Sequence, residues 1–301
     1  MTHTSKTILF FGTDEFSATS LRQLIADGFT IGAVITKPDS RKGRGRELQA
    51  SLVKQIAIEH SIPVWQPSKI VEIIEPLQAL TSERGEKPAG VLVSYGKIIP
   101  QSIIDMFEPG IVNVHPSLLP KYRGPSPIES AILNGDAETG VSIMQLSAAM
   151  DAGPVYEQVT YLLNGTETAP ELENTLADTG AKQLSAILPD IINGSLKPQP
   201  QNEEDATYCK LLSKDDSILQ PETLTAEQAE RRIRAYLAYP KTKMTIAGHS
   251  VVVTKAHLSE NSNSILDIKC QGEQFLSIDE LIGPSGRAMS ASAFLNGYAA
   301  R

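Results

Sequence analysis

The segment Asn113-Val-His115-Pro-Ser117 holds the side chains of this sequence that are best suited to acid–base chemistry. Asn113 and His115 lie two residues apart at the end of an apolar run, and in a strand this spacing places both side chains on one face. An amide donor beside an imidazole can stabilise negative charge that develops on a carbonyl oxygen. The alternative is that His115 only caps a loop, and the Asn-x-His pair at a strand end argues against it.

A carboxylate follows in the sequence Met-Asp151-Ala-Gly-Pro, just after a second strand-like run, Thr139–Met144. Asp151 in this glycine-containing turn could reach His115, hold its charge and fix its orientation. The competing interpretation is an Asx turn in which Asp151 only shapes the loop. The spacing favours neither. Arg123 could pair with a substrate carboxylate or with a surface acid such as Glu129, and the surface pairing is slightly favoured.

Unbroken apolar runs alternate with helical patterns through the first two-thirds of the chain, at Ile8–Phe11, Ile31–Ile35, Gly90–Tyr95 and Gly110–His115. This alternation predicts an α/β fold, a Rossmann-like and mostly parallel sheet with helices on both faces. Ligands bind at the carboxyl ends of such strands, which is where Asn113 and His115 fall. Gly12-Thr13 after the first run lacks the glycine pattern of a phosphate loop, so no nucleotide site is predicted.

The pattern changes near residue 197. Residues 198–207 are polar and proline-rich without periodicity, which predicts a linker between a catalytic domain, 1–197, and a second domain, 208–301. In the second domain a helix is predicted from Thr225 to Leu237, with Thr225 as N-cap and Gln228 completing a capping box. Short β-rich runs separated by Gly, Asn and Ser then predict a small open β-barrel of the OB type.

The charge balance by itself argues against nucleic acid as a partner. The 301 residues include 27 basic and 35 acidic side chains, a net charge of −8 at pH 7, whereas nucleic-acid binders usually carry a basic footprint. The sum hides two basic regions, however. Residues 36–49 contain five basic and two acidic side chains, and residues 208–255 contain eight and five. A negative total therefore does not exclude RNA.

The remaining composition predicts a cytoplasmic protein. Cys209 and Cys270 are too few and too far apart for a disulfide framework or a cysteine zinc site. The first apolar run, Ile8–Phe11, is too short for a signal sequence, and no stretch is long and apolar enough for a membrane span. No metal-ligand cluster stands out, and we expect a monomer.

Taken together, Asn113-Val-His115-x-Ser117-Leu-Leu-Pro120, Arg123-Gly124 and Asp151-x-Gly153 resemble the 10-formyltetrahydrofolate-dependent formyltransferases. Other segments extend the resemblance over nearly the whole chain, namely Phe11–Phe16, Lys37–Asp39, Gly43–Gly45, Tyr95–Pro100 and Gly135–Val141. It is closest to the branch of the family that formylates methionyl initiator tRNA. The sequence departs from the pattern at Asp14, where Pro is frequent, at Ala149, where Gly is common, and near Pro240, where a tryptophan-containing segment is absent.

The resemblance implies formyl transfer from 10-formyltetrahydrofolate to the α-amine of methionyl initiator tRNA, for translation initiation and without a metal. It assigns catalysis to Asn113, His115 and Asp151. It assigns folate binding to Ser117, Leu118, Leu119, Pro120, Tyr95, Gly96 and Ile98. It assigns tRNA binding to Arg41, Lys42, Arg44, Arg46, Lys210 and Arg234.

Three alternative functions fit parts of the same sequence pattern. A formyltransferase acting on an amino-sugar nucleotide would share the same Asn-His-Asp core, and a formyltetrahydrofolate hydrolase would differ only in its acceptor, so both stay open. The basic region at residues 36–49 and the second domain favour tRNA over the sugar. A catalytically silent tRNA-binding module is disfavoured, because a binder needs no pairing of His115 with Asp151.

Overall fold

A computed structural model describes residues 6–42 and 47–299. The chain forms two compact units. The first unit comprises Met1–Arg123, Gly140–Thr160 and Glu173–Tyr208, and the second comprises Gly124–Thr139, Tyr161–Leu172 and Cys209–Arg301. The domain limits expected from the sequence, at 197 and 208, stay a prediction.

A large mixed sheet and its flanking helices make up the first part of the chain. Its strands and the adjoining hairpin are β1 Ile8–Phe11, β2 Ile31–Ile35, β3 Ser40–Lys42, β4 Glu47–Gln49, β5 Val64–Trp65, β6 Ala89–Leu92, β7 Ile111–His115, β8 Glu138–Gln145 and β9 Val155–Leu162. The helices are α1 Glu15–Ala26, α2 Leu52–Glu59, α3 Ile74–Arg84, α4 Gln101–Ile104 and α6 Ala169–Asn193, whereas α5 Pro127–Asn134 belongs to the second unit. The expected alternation of strands and helices is confirmed.

The strand order explains where a ligand can bind. The seven-stranded sheet runs β5-β2-β1-β6-β7-β8-β9, and β3 pairs with β4 as a separate hairpin. Neighbours from β5 to β7 are parallel, and β8 is antiparallel to β7. The chain winds outward from β1 in both directions, so the order reverses between β1 and β6. Such a switch point opens a crevice beyond the carboxyl ends of the strands, and β7 ends next to it.

Apolar strands form the core of the first unit because both faces of the parallel part are covered. All four residues of β1 and all five of β7 are buried. One cluster unites Leu9 and Phe11 of β1 with Leu77 of α3 and Phe107 after α4. Buried strands give the loops at their ends fixed starting points, and the candidate site is built on those loops.

The second unit contains an antiparallel sheet. Its elements are α7 Ala226–Ala235, β10 Thr242–Ile246, β11 His249–Ser259, β12 Asp267–Lys269, β13 Phe275–Ile282, β14 Ala288–Ser290 and α8 Ala291–Phe294. The sheet runs β10-β11-β13-β12, and β14 pairs with β13. Ala229 and Ile233 of α7 are buried in the same cluster as Val251, Leu276 and neighbouring residues of the sheet. The prediction that the second domain contains a sheet of short β-strands is confirmed.

The predicted start of α7 is also confirmed. Thr225 Oγ1 accepts from the Gln228 amide at 3.2 Å, and Gln228 Oε1 accepts from the Thr225 amide at 3.0 Å. These two bonds satisfy backbone donors that a helix start otherwise leaves unpaired. Within the part of the chain described here, no helix is both long and apolar enough to cross a membrane.

Candidate active site

Asn113 and His115 lie on β7, the last parallel strand. Both are buried, each with 5% of its surface exposed. The period of two in a strand places them on one face, as expected from their spacing. The Asn113 side-chain amide makes no hydrogen bond within residues 6–42 and 47–299. Its amide nitrogen and oxygen are therefore available to a bound substrate.

The His115 ring lies between two acceptors. Its Nε2 is 3.0 Å from the Tyr122 carbonyl oxygen, and its Nδ1 is 3.8 Å from Asp151 Oδ2. The first contact is a hydrogen bond, and the second is too long for one. Because a carbonyl oxygen can only accept, Nε2 carries the proton of the first contact, and the Asp151 carboxylate faces the other edge of the ring.

Asp151 occupies the turn between β8 and β9. Its φ is +48°, in the left-handed region that non-glycine residues rarely adopt. The turn is tight, since a Cβ on Gly153 would lie 1.9 Å from the Gln145 carbonyl oxygen. The turn is also held from outside, because Gln201 Nε2 donates to the carbonyl oxygens of Asp151 and Gly153, both at 2.7 Å. The predicted proximity of Asp151 and His115 is present in the structure.

The turn after β7, which includes Ser117, Leu118, Leu119 and Pro120, is held by buried hydroxyls. Ser117 Oγ donates to the Lys121 carbonyl at 2.6 Å. Ser142 Oγ of β8 donates to the Ser117 carbonyl at 2.6 Å and accepts from the Leu119 amide at 3.0 Å. Both serines are fully enclosed. These bonds fix the backbone of the segment that the sequence assigned to the folate.

The other expected folate contacts differ in exposure. Ile98 is 77% exposed, whereas Tyr95 is fully buried. The Tyr95 ring packs edge-on against Phe11, with 5.6 Å between centroids, and burial raises the pKa of its phenol to about 12. The Tyr95 hydroxyl has no hydrogen-bond partner in the described ranges. The Tyr95 ring is thus enclosed in the core, and Gly96, with φ +67°, turns the chain beside it.

Loops at the switch point are tied together near this segment. Thr13 Oγ1 after β1 lies 3.4 Å from the Tyr95 carbonyl oxygen, and the Ser94 hydroxyl donates to the Asp14 carboxylate. Asp14 also caps α1 by accepting from the Ser17 amide at 3.1 Å. The departure from the family pattern at position 14 thus has a local structural role.

Arg123 pairs with an acidic side chain, the arrangement that the sequence slightly favoured. It is 1% exposed, and its partner is Glu203 rather than Glu129. Its Nη1 and Nη2 donate to the two Glu203 oxygens at 2.9 and 2.8 Å, and these bonds raise the pKa of the guanidinium and lower that of Glu203. The pairing was hidden in the sequence because it spans 80 residues.

The expected tRNA-binding residues fall into three groups. Arg41 is exposed on β3, where Lys42 follows it, while Arg44 and Arg46 lie outside the described residues. Lys210 is exposed and forms an ion pair with Asp216. Arg234 is enclosed, bonding Glu230 Oε1 at 2.6 Å and the Glu167 carbonyl at 2.8 Å.

The start of the basic region at residues 36–49 is held by hydrogen bonds. Asp39 accepts from Lys54 Nζ and from Gln66 Nε2, each at 2.7 Å, and the Lys54 bond contributes most to lowering the pKa of Asp39. The β3–β4 hairpin begins immediately after this network. In the described ranges, no group of three or more His, Cys, Asp or Glu side chains could hold a metal ion.

Two family models and many relatives match this chain. Residues 6–188 match the family described as formyl transferase, and residues 211–299 match the formyl transferase C-terminal domain. The methionyl-tRNA formyltransferase of Pseudoalteromonas translucida (strain TAC 125) is 36% identical over 304 residues, which cover 96% of this chain and 93% of the relative. That of Methylococcus capsulatus (strain ATCC 33009 / NCIMB 11132 / Bath) is 37% identical and covers 97% of both.

Solved structures share the fold. A sugar 3N-formyl transferase, crystallised in the presence of dTDP and 5-N-formyl-THF, superposes with a TM-score of 0.66 at 21% identity and covers 95% of this chain and 96% of its own. The N-formyltransferase from Helicobacter canadensis, in complex with folinic acid and dTDP-3-aminofucose, gives 0.66 at 19% identity, covering 91% and 98%. The chain belongs to the formyl transferase family, and it is an enzyme of formyl transfer.

Proposed function

We propose that the chain transfers the formyl group of 10-formyltetrahydrofolate to the α-amine of methionine esterified to initiator tRNA. The observation that carries the chemistry is the His115 ring between the Tyr122 carbonyl and the Asp151 carboxylate, beside the Asn113 amide. Support for the acceptor comes from relatives at 36–37% identity over nearly the whole chain, which are named methionyl-tRNA formyltransferases. The enzyme would act as a cytoplasmic monomer.

Negative charge must be stabilised on the formyl oxygen when the amine attacks the formyl carbon. Nε2 of His115 is already engaged with Tyr122, so the Nδ1–H edge and the Asn113 amide are the donors proposed for that oxygen. Donors fixed in advance stabilise such a charge most effectively. Asp151 lies close enough to balance the charge on the imidazolium.

Proton transfer completes the reaction. The attacking amine must lose a proton, the bond between the formyl carbon and N10 breaks, and N10 must gain a proton. Asp151, the carboxylate beside the donors, is the proposed acceptor of the amine proton, directly or through water, and it would return that proton to N10 as the bond breaks. The folate would lie against the turn Ser117–Pro120 and the backbone of Tyr95, Gly96 and Ile98.

Binding of tRNA is proposed for two basic regions. Arg41, Lys42, Arg44 and Arg46 would contact the acceptor end, and Lys210 would contact a phosphate farther along the tRNA. Positive charge at these positions supports the proposal, because phosphate neutralisation supplies much of the affinity for nucleic acid.

The decisive experiment offers three acceptors to the purified enzyme with 10-formyltetrahydrofolate: methionyl initiator tRNA, an amino-sugar nucleotide and water alone. Formyl transfer to the tRNA is expected. Transfer to the sugar amine instead, or release of formate without any acceptor, would replace the proposed function by one of those two activities.

A further inference from the structure

Residues 198–207, expected to be a linker, make specific hydrogen bonds within the first unit. The Gln199 amide donates to the Val155 carbonyl at 2.7 Å, and the Val155 amide donates back to Gln199 at 2.8 Å. This pairing places Gln201 two residues farther along, next to the turn that carries Asp151. A segment held in this way can do more than connect two parts of the chain.

Gln201 bonds with both ends of its side-chain amide. Nε2 donates to the carbonyl oxygens of Asp151 and Gly153, each at 2.7 Å. Oε1 accepts from Arg123 Nε at 3.0 Å and from Nη2 at 2.8 Å. The orientation of the amide is therefore fixed, because a reversed amide would bring an oxygen against two carbonyls and an NH₂ group against a guanidinium.

Arg123 is itself fully engaged. Its Nε donates to Gln201, Nη1 to Glu203 and the Tyr208 hydroxyl, and Nη2 to Gln201 and Glu203. Every N–H of the guanidinium thus has a protein acceptor. With 1% of its surface exposed, Arg123 is a rigid support for Gln201 rather than a contact for substrate.

The same segment also holds the acceptor of His115. Thr207 Oγ1 accepts from the Tyr122 amide at 2.8 Å, and the Thr207 carbonyl accepts from the Arg123 amide at 2.9 Å. Tyr122, whose carbonyl oxygen faces His115 Nε2, has a φ of +58°. Both Tyr122 and Asp151 are in the left-handed region, and such conformations persist where surrounding bonds determine them.

We infer that Gln201 is a positioning residue for formyl transfer. Its two bonds to the backbone of the Asp151 turn set the placement of the Asp151 carboxylate against His115, and Arg123 fixes Gln201 in turn. This inference rests on the proposed function, in which Asp151 and His115 act on the formyl group. A displacement of about 1 Å in such a pair can lower a rate about 100-fold.

The test is Gln201→Glu. This substitution keeps the shape and an oxygen for Arg123, but it replaces the donor to Asp151 and Gly153 by a second oxygen. We expect kcat for formylation of methionyl-tRNA to fall about 10- to 100-fold, with the KM values for tRNA and folate within about twofold of wild type. The matched control is Gln55→Glu, at an exposed glutamine that donates to the Ala50 carbonyl at 3.3 Å, and it should keep the wild-type kcat.

A double-mutant cycle separates positioning from a general loss of structure. If Gln201 acts through Asp151, Gln201→Glu should lower kcat little further in the Asp151→Asn background, since coupled residues are non-additive. Full additivity, an unchanged kcat in Gln201→Glu, or a loss confined to KM would overturn the inference. If Gln201→Glu does not fold, Gln201→Met, which removes the same bonds without adding charge, decides by the same criteria.

The inference and the proposed function can fail separately. No formylation of methionyl-tRNA by the wild-type enzyme would reject the proposed acceptor. A crystal structure of Gln201→Glu reports on Asp151 without any turnover. The inference expects the Asp151 carboxylate to be displaced from His115, and an unmoved Asp151 turn would overturn it.

Discussion

The proposed catalytic trio, Asn113, His115 and Asp151, lies in a different environment from the predicted tRNA contacts Arg41 and Lys210. Asn113 and His115 are buried, and the backbone around His115 and Asp151 is held by hydrogen bonds from distant segments. Arg41 and Lys210 are instead exposed, and the Lys210 side chain has 71% of its surface accessible. The first region is held by hydrogen bonds, whereas Arg41 and Lys210 are long side chains in contact with solvent.

The difference matches the two proposed electrostatic roles, which are stabilisation of a reacting oxygen and attraction of tRNA phosphates. A donor that stabilises charge on a reacting oxygen must be in place beforehand, because reorganisation would add to the barrier. Phosphate attraction in solution extends over about 10 Å at 0.1 M salt, so it tolerates loose geometry. We therefore expect substitutions in the first region to lower kcat and those in the second to raise the KM for tRNA.

The largest effect is expected at the trio itself. Asn113→Ala, His115→Ala and Asp151→Asn should each lower kcat by about 10² to 10⁴, because each removes a donor or a proton acceptor from the transition state. Steady-state formylation assays measure the loss, and circular dichroism checks the fold. His60→Ala, at an exposed histidine after α2, is the control that should keep full activity. A variant of the trio with near-normal kcat would remove that residue from the proposed mechanism.

A smaller effect, on the KM for tRNA, is expected in the basic region at residues 36–49. Arg44→Glu should raise the KM for tRNA about tenfold and leave the KM for folate unchanged, because charge reversal replaces phosphate attraction by repulsion. The matched control is Arg22→Glu on α1, an exposed arginine paired with Glu15. Repeating the assay from 50 to 200 mM salt should show a steep rise of the KM in the wild type and a shallower rise in Arg44→Glu. Equal KM values for tRNA in Arg44→Glu and Arg22→Glu would contradict a role of Arg44 in binding tRNA.

The two predicted contacts of the second unit should differ from each other. Lys210→Gln should raise the KM for tRNA about threefold, as loss of one phosphate contact would. Arg234→Gln should change that KM less than twofold, because Arg234 is enclosed by Glu230 and the Glu167 carbonyl. It should instead lower the free energy of unfolding by about 1–2 kcal/mol through the lost charged hydrogen bonds. A larger KM effect at Arg234 than at Lys210 would show that the enclosed arginine moves to meet the tRNA.

The smallest effect concerns stability and pH at Asp216. The Lys210 hydrogen bond is the main cause that lowers the pKa of Asp216 from 3.8 to about 2, and the Ser213 amide adds to it. A carboxyl with a depressed folded-state pKa stabilises the fold above its unfolded pKa, and this contribution is lost as pH falls through the folded value. Asp216→Asn should therefore lower the free energy of unfolding by about 1 kcal/mol at pH 7, with the difference shrinking below pH 4 and nearly absent at pH 2. Calorimetry across that range checks it, and a difference independent of pH would contradict it.

The sequence by itself determined the elements and one half of the site. Apolar runs such as Ile8–Phe11, ending in glycine, favour buried strands, and the Thr225–Gln228 box marks a helix start. The Asn-x-His spacing places two side chains on one face of a strand. Local spacing and burial preference are properties of a short segment, so they can be recognised without the rest of the chain. The family pattern then named Asp151, which spacing alone left undecided.

Tertiary structure alone decided which groups meet. Nothing in the polar, proline-rich run around Gln201 distinguishes it from a solvated linker, yet its side chain bonds the Asp151 carbonyl 50 residues away and accepts from Arg123 78 residues away. Tyr95 combines an expected binding position with a ring that is buried in the core. Such partnerships depend on where distant segments return after the sheet has formed, because a hydrogen bond requires a specific distance and direction that no local pattern encodes.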